Sequence, residues 1–228
     1  MMERFSVAID GPAGAGKSTI AKSLSKRLGV IYVDTGAMYR AMALHILRSG
    51  VDPSDTEAVT KASGSADISI DFADGIQQVL LNGENVSGVI RTEEVSAMAS
   101  KVSVNPEVRK KLVELQQKLA SEKSVVMDGR DIGTVVLPNA EVKIYLTASV
   151  EVRAERRYKE LIEKGEAAEL EAIKAEIRER DERDMNREIS PLKQADDAYL
   201  LDSSYMSIDE VLEAMLDRIE KKVPAWQR

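Results

Sequence analysis

The residues with the densest chemical content lie near the start of the 228-residue chain, at positions 10–19: DGPAGAGKST. Gly11, Gly14 and Gly16 precede Lys17 and Ser18 in the spacing G-x-x-x-x-G-K-[ST], directly after the apolar run FSVAI. Glycines at these steps let the backbone curl until its N–H groups face an anion. Lys17 adds a mobile positive charge that can follow the β- and γ-phosphates, and Ser18 offers a hydroxyl to Mg2+. A helix opening there contributes the positive end of its dipole. The pattern predicts a nucleoside triphosphate held by Gly11, Pro12, Ala13, Gly14, Ala15, Gly16, Lys17, Ser18 and Thr19. A plain glycine-rich turn is the bland alternative, and the apolar run before the loop and the amphipathic stretch after it weigh against that.

The loop alone does not separate a kinase from a switch GTPase or a motor ATPase. A guanine-reading N-K-x-D segment is missing, since Asn186 is followed by Arg187 and Asn105 by Pro106. A motor would be larger and carry further signature segments. A group-transfer enzyme needs a second site that grips an acceptor. Arginine suits such a site, because its forked guanidinium is permanently charged.

Three segments carry candidates. In DTGAMYRA, residues 34–41, Thr35 and Arg40 follow a predicted strand and open a helix. That turn lies at the carboxyl edge of the sheet, where α/β proteins bind ligands; a solvated helix arginine is the other reading of Arg40. In MDGRDIGT, residues 127–134, Asp128 ends an apolar run, as does the acidic residue that organises Mg2+ and its waters in phosphoryl-transfer sites. Arg130 and Asp131 come next in a glycine-flanked loop; an exposed charge pair on a turn is the alternative. In RERDERDMNR, residues 178–187, Arg180, Asp184 and Arg187 are spaced four and three and share a helix face. Charge runs on helices are usually solvated, and that reading stands beside the functional one. Arg153, Arg156 and Arg157 form either a phosphate clamp or ordinary surface.

These residues need a frame. Short apolar runs at 5–9, 30–33, 124–127, 142–146 and 198–201 read as parallel strands. Amphipathic stretches at 17–28, 37–48, 93–103, 107–121, 150–164, 167–188 and 208–222 read as helices. Strands fed by crossover helices imply a mostly parallel sheet covered on both faces. Gly29, Gly50 and Gly165 sit where helices should end, and Ser149 and Ser207 where they should be capped. VDPSDTE, residues 51–57, reads as a polar linker leading into a helix, and residues 163–171 as a charged break between two helices. One segment breaks the alternation: residues 66–89, where Asp74-Gly75 and Asn82-Gly83 mark tight hairpin turns. It reads as a small antiparallel insertion, either a source of ligand contacts or a structural flap. His45 reads as structural and Trp226 as a packing anchor or a loose tail.

Composition narrows the classes. The net charge of −7 argues against a nucleic-acid coat or an anionic membrane surface. There is no cysteine, which excludes disulfides and thiolate metal sites, and the single histidine excludes a multi-histidine site. No apolar run is long enough for a spanning helix and no secretion signal is recognisable, so a cytoplasmic protein is expected. No obvious coiled coil or exposed apolar stripe demands a partner, and a monomer is expected.

AIDGPAGAGKST, DTGAMYRA, NGENVSGVIRTEEVS, VMDGRDIGTVVLPNAEVKIYLTAS, RAERRY and RERDERDMNR together resemble the bacterial cytidylate kinases, nucleoside monophosphate kinases, over nearly the whole chain. The resemblance implies an α/β fold: a P-loop NTPase core with a five-stranded parallel sheet flanked by helices, a small antiparallel β insertion and a helical lid. It implies one kinase domain with core segments 1–33, 122–150 and 190–228, an acceptor-binding region 34–121 and a lid 151–189. The implied reaction, part of pyrimidine nucleotide metabolism, moves the γ-phosphoryl group of ATP to CMP or dCMP. By motif match, Thr35, Arg40 and Arg130 would hold the acceptor phosphate, with Tyr39 in the same site. Ser100, Arg109 and Asp131 would read the cytosine edge, and Arg180, Asp184 and Arg187 would grip ribose and base. Lys17, Arg130, Arg153 and Arg157 would neutralise the transferring group, and Arg156 and Arg157 would close over ATP. Ser18 would meet Mg2+, with Asp128 acting through water. An anionic acceptor oxygen needs no strong base, which suits a chain with one histidine. The partners expected are small nucleotides, with no nucleic-acid polymer and no membrane. A kinase for UMP or another small acceptor, and a non-catalytic ATP-dependent regulator, are the competing readings.

Overall fold

Asp10 closes the first strand, and the glycine beside it starts a turn that no side chain could follow. In the computed structural model residues 4–223 and Trp226 are described; the ends of the expected segments 1–33 and 190–228, namely 1–3, 224–225 and 227–228, lie outside the described residues. The elements in chain order are β1 (Ser6–Asp10), α1 (Lys17–Leu28), β2 (Ile31–Asp34), α2 (Thr35–Arg48), α3 (Thr56–Ser65), β3 (Ile68–Ala73), β4 (Ile76–Leu81) and β5 (Glu84–Asn85). Then come α4 (Glu93–Val102), α5 (Pro106–Glu122), β6 (Val125–Gly129), a π-helical turn (Ile132–Val136), β7 (Val142–Thr147), α6 (Val150–Glu163), α7 (Leu170–Asn186), β8 (Tyr199–Asp202) and α8 (Ile208–Lys222). The main sheet has five strands in the order β2-β6-β1-β7-β8, and a three-stranded sheet runs β3-β4-β5. Among the described residues no helix is long and apolar enough to cross a membrane.

The chain divides into two compact units, Met1–Val30 with Ser124–Arg228, and Ile31–Lys123. In the first, β1 pairs in parallel with β6 and β7, and β7 with β8. Val7, Ala8 and Ile9 are fully buried, as a central parallel strand covered on both faces requires. Helix α1 buries Ile20, Ala21, Leu24 and Leu28, one face at helical spacing, against β6 and α8. Leu24 has no exposed surface, and its replacement by alanine would cost about 2–5 kcal/mol. Helix α8 answers with Val211, Met215, Leu216 and Ile219, and a capping box between Ser207 and Glu210 starts it. Helices α6 and α7 pack on each other through a small core of their own, Ala154, Ile173 and Ile177, with Val150, Tyr158, Leu161 and Leu170 around it. Trp226 is buried, and its backbone N–H donates to the Val223 carbonyl, so it anchors the described end of the chain.

In the second unit α2 buries Ala37, Met38, Ala41, Met42 and Ile46, and packs against α3, α4, α5 and the small sheet. The small sheet is antiparallel, as the turn residues predict. Asp74 and Gly75 have φ of 53° and 75°, and Asn82 and Gly83 have 50° and 81°, so each pair makes a two-residue turn with both residues left-handed. Asx residues and glycine tolerate that backbone better than other types do. Helix α3 is the helix that the polar segment 51–57 is expected to lead into, whereas the π-helical turn lies outside the expected set. Helix α3 is built from the weak formers TEAVTKASGS, buries only Val59 and Ser63, and depends on Asp55, whose carboxylate accepts from the Ala58 N–H. The π-helical turn begins within residues 127–134, a stretch that reads as a glycine-flanked loop. Helix α2 starts two residues before the expected 37, because Asp34 caps it, and α7 is shorter than the expected 167–188.

Candidate active site

In the first unit the loop between β1 and α1 carries Gly11, Gly14 and Gly16 at φ of 149°, 76° and 84°. A Cβ on Gly11 would lie 1.9 Å from the Leu146 carbonyl oxygen on β7, so only glycine fits there. Lys17 is buried, and its ammonium donates to the Pro12 carbonyl at 2.7 Å, closing the loop on itself. Burial first, then the neighbouring Arg130 charge, hold the Lys17 amine well below its ordinary pKa, although Asp128 and Asp10 oppose this. An arriving polyanion would reverse that balance and restore the ammonium. The Ser18 hydroxyl donates to Asp128 Oδ2 at 2.9 Å, joining the helix start to the end of β6.

After β6 the chain turns through Arg130 and Asp131. Arg130 Nε donates to Asp184 Oδ2 on α7 at 2.8 Å. Burial disfavours the Arg130 charge, but the Asp184 carboxylate outweighs it, with Asp128 and Asp181 adding to the effect, and its pKa moves up. Burial likewise pushes Asp184 up, and the Arg130 charge and hydrogen bond outweigh that, leaving Asp184 below its ordinary value with help from Arg180 and Arg187. Arg187 lies 3.6 Å from Asp131, both buried, and its Nε donates to the Ser190 carbonyl. The structure therefore brings Lys17, Asp128, Arg130, Asp131, Arg180, Asp184 and Arg187 into one charged cluster within the first unit. Arg183, on the same helix, pairs with Glu179 at 2.6 Å on the surface, the ordinary fate of a helix charge run.

The arginines of α6 have three different surroundings. Arg153 is buried, and all three of its nitrogens donate: Nε to the Ala148 carbonyl at 2.9 Å, Nη1 to the Ala13 carbonyl at 2.9 Å and Nη2 to Asp181 at 2.6 Å. It clasps the phosphate loop to α6 and α7. Arg156 donates to the Ser203 carbonyl at 2.8 Å, just past β8. Arg157 is half-exposed and lies 3.0 Å from Glu160.

In the second unit Thr35 and Tyr39 stand on the first turns of α2. Ser100 is buried on α4 and Arg109 is buried on α5. The Arg109 guanidinium sits over the Tyr39 ring, 5.5 Å from its centroid, and Nη1 donates to the Ser103 carbonyl at 3.2 Å. Arg40 Nη2 lies 3.1 Å from Asp34 Oδ2. His45 Nε2 is 3.1 Å from both the Ala62 carbonyl and the Ser65 hydroxyl, a tie between α2 and α3.

Sequence reading passed over four residues here. Asp10 accepts the backbone N–H groups of Ile132 and Gly133, each at 2.7 Å, and so fixes the turn that follows Arg130 and Asp131. Its carboxyl is pushed up to about 6, chiefly by burial, against the lowering effect of those two hydrogen bonds. Asp181 holds Arg153, and Asp34 and Arg91 form an ion pair at 3.0 Å. An acid at the tip of a strand or the start of a helix was the available signal for Asp10 and Asp34. For Asp181 and Arg91 there was none, since the partner is distant in sequence.

A divalent ion at the loop would meet Ser18 Oγ directly and Asp128 Oδ2 through water, and these hard oxygen donors are in contact with each other. No cluster of three or more His, Cys, Asp or Glu exists among the described residues. This donor set fits Mg2+, which takes few protein ligands and completes its shell with phosphate oxygens and water.

The family model described as Cytidylate kinase matches residues 7–221. A protein named Cytidylate kinase from Caldicellulosiruptor bescii is 51% identical over 222 residues, covering 97% of this chain and 98% of that one. Another of the same name from Pasteurella multocida is 48% identical over 221 residues, covering 97% of each. Among solved structures, a gluconokinase from Sinorhizobium meliloti aligns with a TM-score of 0.50 at 14% identity, covering 98% of this chain and 97% of that one, which bears on the fold alone. A chain with this phosphate loop, this sheet and this match along almost its entire length belongs to the cytidylate kinase family.

Proposed function

We propose that the chain transfers the terminal phosphoryl group of ATP directly to CMP and dCMP, giving ADP with CDP or dCDP. The observation that carries this is the buried Lys17 with the charges of Arg130 and Arg180 near it beside the phosphate loop, in a chain that matches the cytidylate kinase family over residues 7–221. Phosphoryl transfer asks a protein for in-line positioning and for charge neutralisation. The loop N–H groups and Lys17 would hold the β- and γ-phosphates. Mg2+, held by Ser18 and, through water, Asp128, would neutralise phosphate charge when bound. Thr35, Arg40 and Arg130 would orient the acceptor phosphate, whose anionic oxygen attacks without a general base. Tyr39, Ser100, Arg109 and Asp131 would select cytosine, and Arg180, Asp184 and Arg187 would hold the sugar and base. The 2.8 Å bond from Arg130 to Asp184 supports this division, because it ties the residue assigned to the phosphate to the one assigned to the sugar. Segment 34–121 would act as the acceptor-binding region and 151–189 as a lid whose Arg156 and Arg157 meet ATP. Closure of that lid would exclude water, which otherwise competes for the phosphoryl group. The clasp of Arg153 on the loop carbonyl of Ala13 supports a positioning part for that arginine.

The test is ADP formation by the purified chain with ATP and Mg2+, offering CMP, dCMP, UMP, AMP and GMP separately. Preference for CMP and dCMP is expected. A clear preference for another acceptor would overturn the base-reading residues, and no transfer to any would favour a regulator or a kinase of a non-nucleotide.

A further inference from the structure

The inserted small sheet and the segment after it carry Gln77 and Arg91, which have no part in the reaction as described. Both converge on Asp34. The Asp34 carboxylate is occupied three ways: Oδ1 accepts the Ala37 N–H at 2.9 Å, and Oδ2 accepts Arg40 Nη2 at 3.1 Å and Arg91 Nη2 at 3.0 Å. The peptide groups of Asp34 are held as well. Its N–H donates to Gln77 Oε1 at 2.7 Å, and its carbonyl accepts from Gln77 Nε2 at 3.2 Å. One carboxylate therefore carries two guanidiniums while a side chain of β4 fixes the residue that bears it.

The charges do not balance. Two guanidiniums on one carboxylate leave net positive charge beside the start of α2, whose dipole adds to it. Arg40 Nε is buried with no hydrogen-bond partner among the described residues, a donor that lacks its acceptor. The Arg91 side chain is 59% exposed, so the guanidinium keeps donors accessible beyond its bond to Asp34. Gly36 lies beneath, where a Cβ would come within 3.2 Å of both Arg40 Nη1 and Asp34 Oδ1, so the fork fills the space a side chain would need. A positive fork with unmet donors fits a dianionic phosphate monoester, which accepts several charge-assisted bonds at once.

We infer that Arg91 is a third guanidinium for the phosphate of the acceptor nucleotide, in addition to Arg40 and Arg130, and that Asp34 and Gln77 are positioning residues holding Arg40 and Arg91 as a two-armed fork. The inserted sheet then belongs to the acceptor site and is not merely a flap. This rests on the reading that the acceptor is CMP.

The experiment compares calorimetric binding of CMP and of cytidine, without ATP, to the full chain, Arg91→Ala and Asp34→Asn. Asparagine keeps the helix cap and removes the charge. In Arg91→Ala the CMP-to-cytidine affinity ratio should fall about tenfold or more, with cytidine affinity and the KM for ATP unchanged. Asp34→Asn should lower the same ratio less, and the double variant should lose no more than Arg91→Ala by a factor of about two, since both act through one fork. Wild-type ratios in Arg91→Ala, in a protein whose parent binds and phosphorylates CMP, would overturn the fork alone. A parent that neither binds nor phosphorylates CMP would overturn the functional reading instead.

Discussion

Asp10 makes stability depend on pH in a direction opposite to most carboxylates. It is buried, its two oxygens accept the N–H groups of Ile132 and Gly133 at 2.7 Å, and Asp131 and Lys17 face it. Burial outweighs those hydrogen bonds and raises its pKa from 3.8 to about 6. The folded state thus binds the proton more tightly than the unfolded chain. The stability contributed by this group is present below about pH 3.8 and is lost as pH rises through about 6. At 1.36 kcal/mol per pH unit the full loss is about 3 kcal/mol, about four-fifths of it between pH 4 and pH 7.5. Every other acid also titrates, so the measurement is a difference against Asp10→Asn. The amide keeps the size, accepts one N–H and opposes the other, a loss of about 1–3 kcal/mol that does not change with pH. Urea unfolding followed by far-UV circular dichroism should show the wild-type advantage shrinking by about 2–3 kcal/mol from pH 4 to pH 7.5. A carboxyl carbon-13 titration of Asp10 should have its midpoint near 6. A flat difference across that range, or a midpoint at the ordinary value, would refute the reasoning.

Gly11→Ala should destabilise the fold by about 3 kcal/mol or more, because the new Cβ would sit 1.9 Å from a backbone oxygen of β7; a melting temperature equal to the parent's would count against this. Lys17→Met should lower turnover about 100- to 1000-fold while circular dichroism and melting stay near the parent's, since burial already disfavours the Lys17 charge in the free protein. Near-normal turnover would remove the loop lysine from the mechanism. Arg109→Ala should raise the KM for CMP more than that for ATP, and equal losses for both would show that Arg109 does not read the acceptor.

The phosphate loop was legible in the sequence because its chemistry is local: three positive-φ glycines, a lysine and a serine within eight residues can do their work only in one turn. The parallel strands were legible for a similar reason, as apolar runs covered on both faces. So were the two turns of the inserted sheet, because few residue types tolerate their backbone. The boundaries of α2 and α7 and the extent of α3 were less legible, since caps and weak propensities are decided by what the helix packs against. The surroundings of the arginines were not legible at all. Arg153, Arg156 and Arg157 lie within five residues of one another, yet one is a buried clasp, one ties down the loop after β8 and one is half-exposed. Asp34 gathers Arg40 from six residues away and Arg91 from fifty-seven. A charge's role depends on its partner and its solvent, and folding brings both from distant parts of the chain. The sequence by itself therefore determined the anion-binding turn and the layers that hold it. Only the tertiary structure decided which charges are buried, which are paired and which stay exposed.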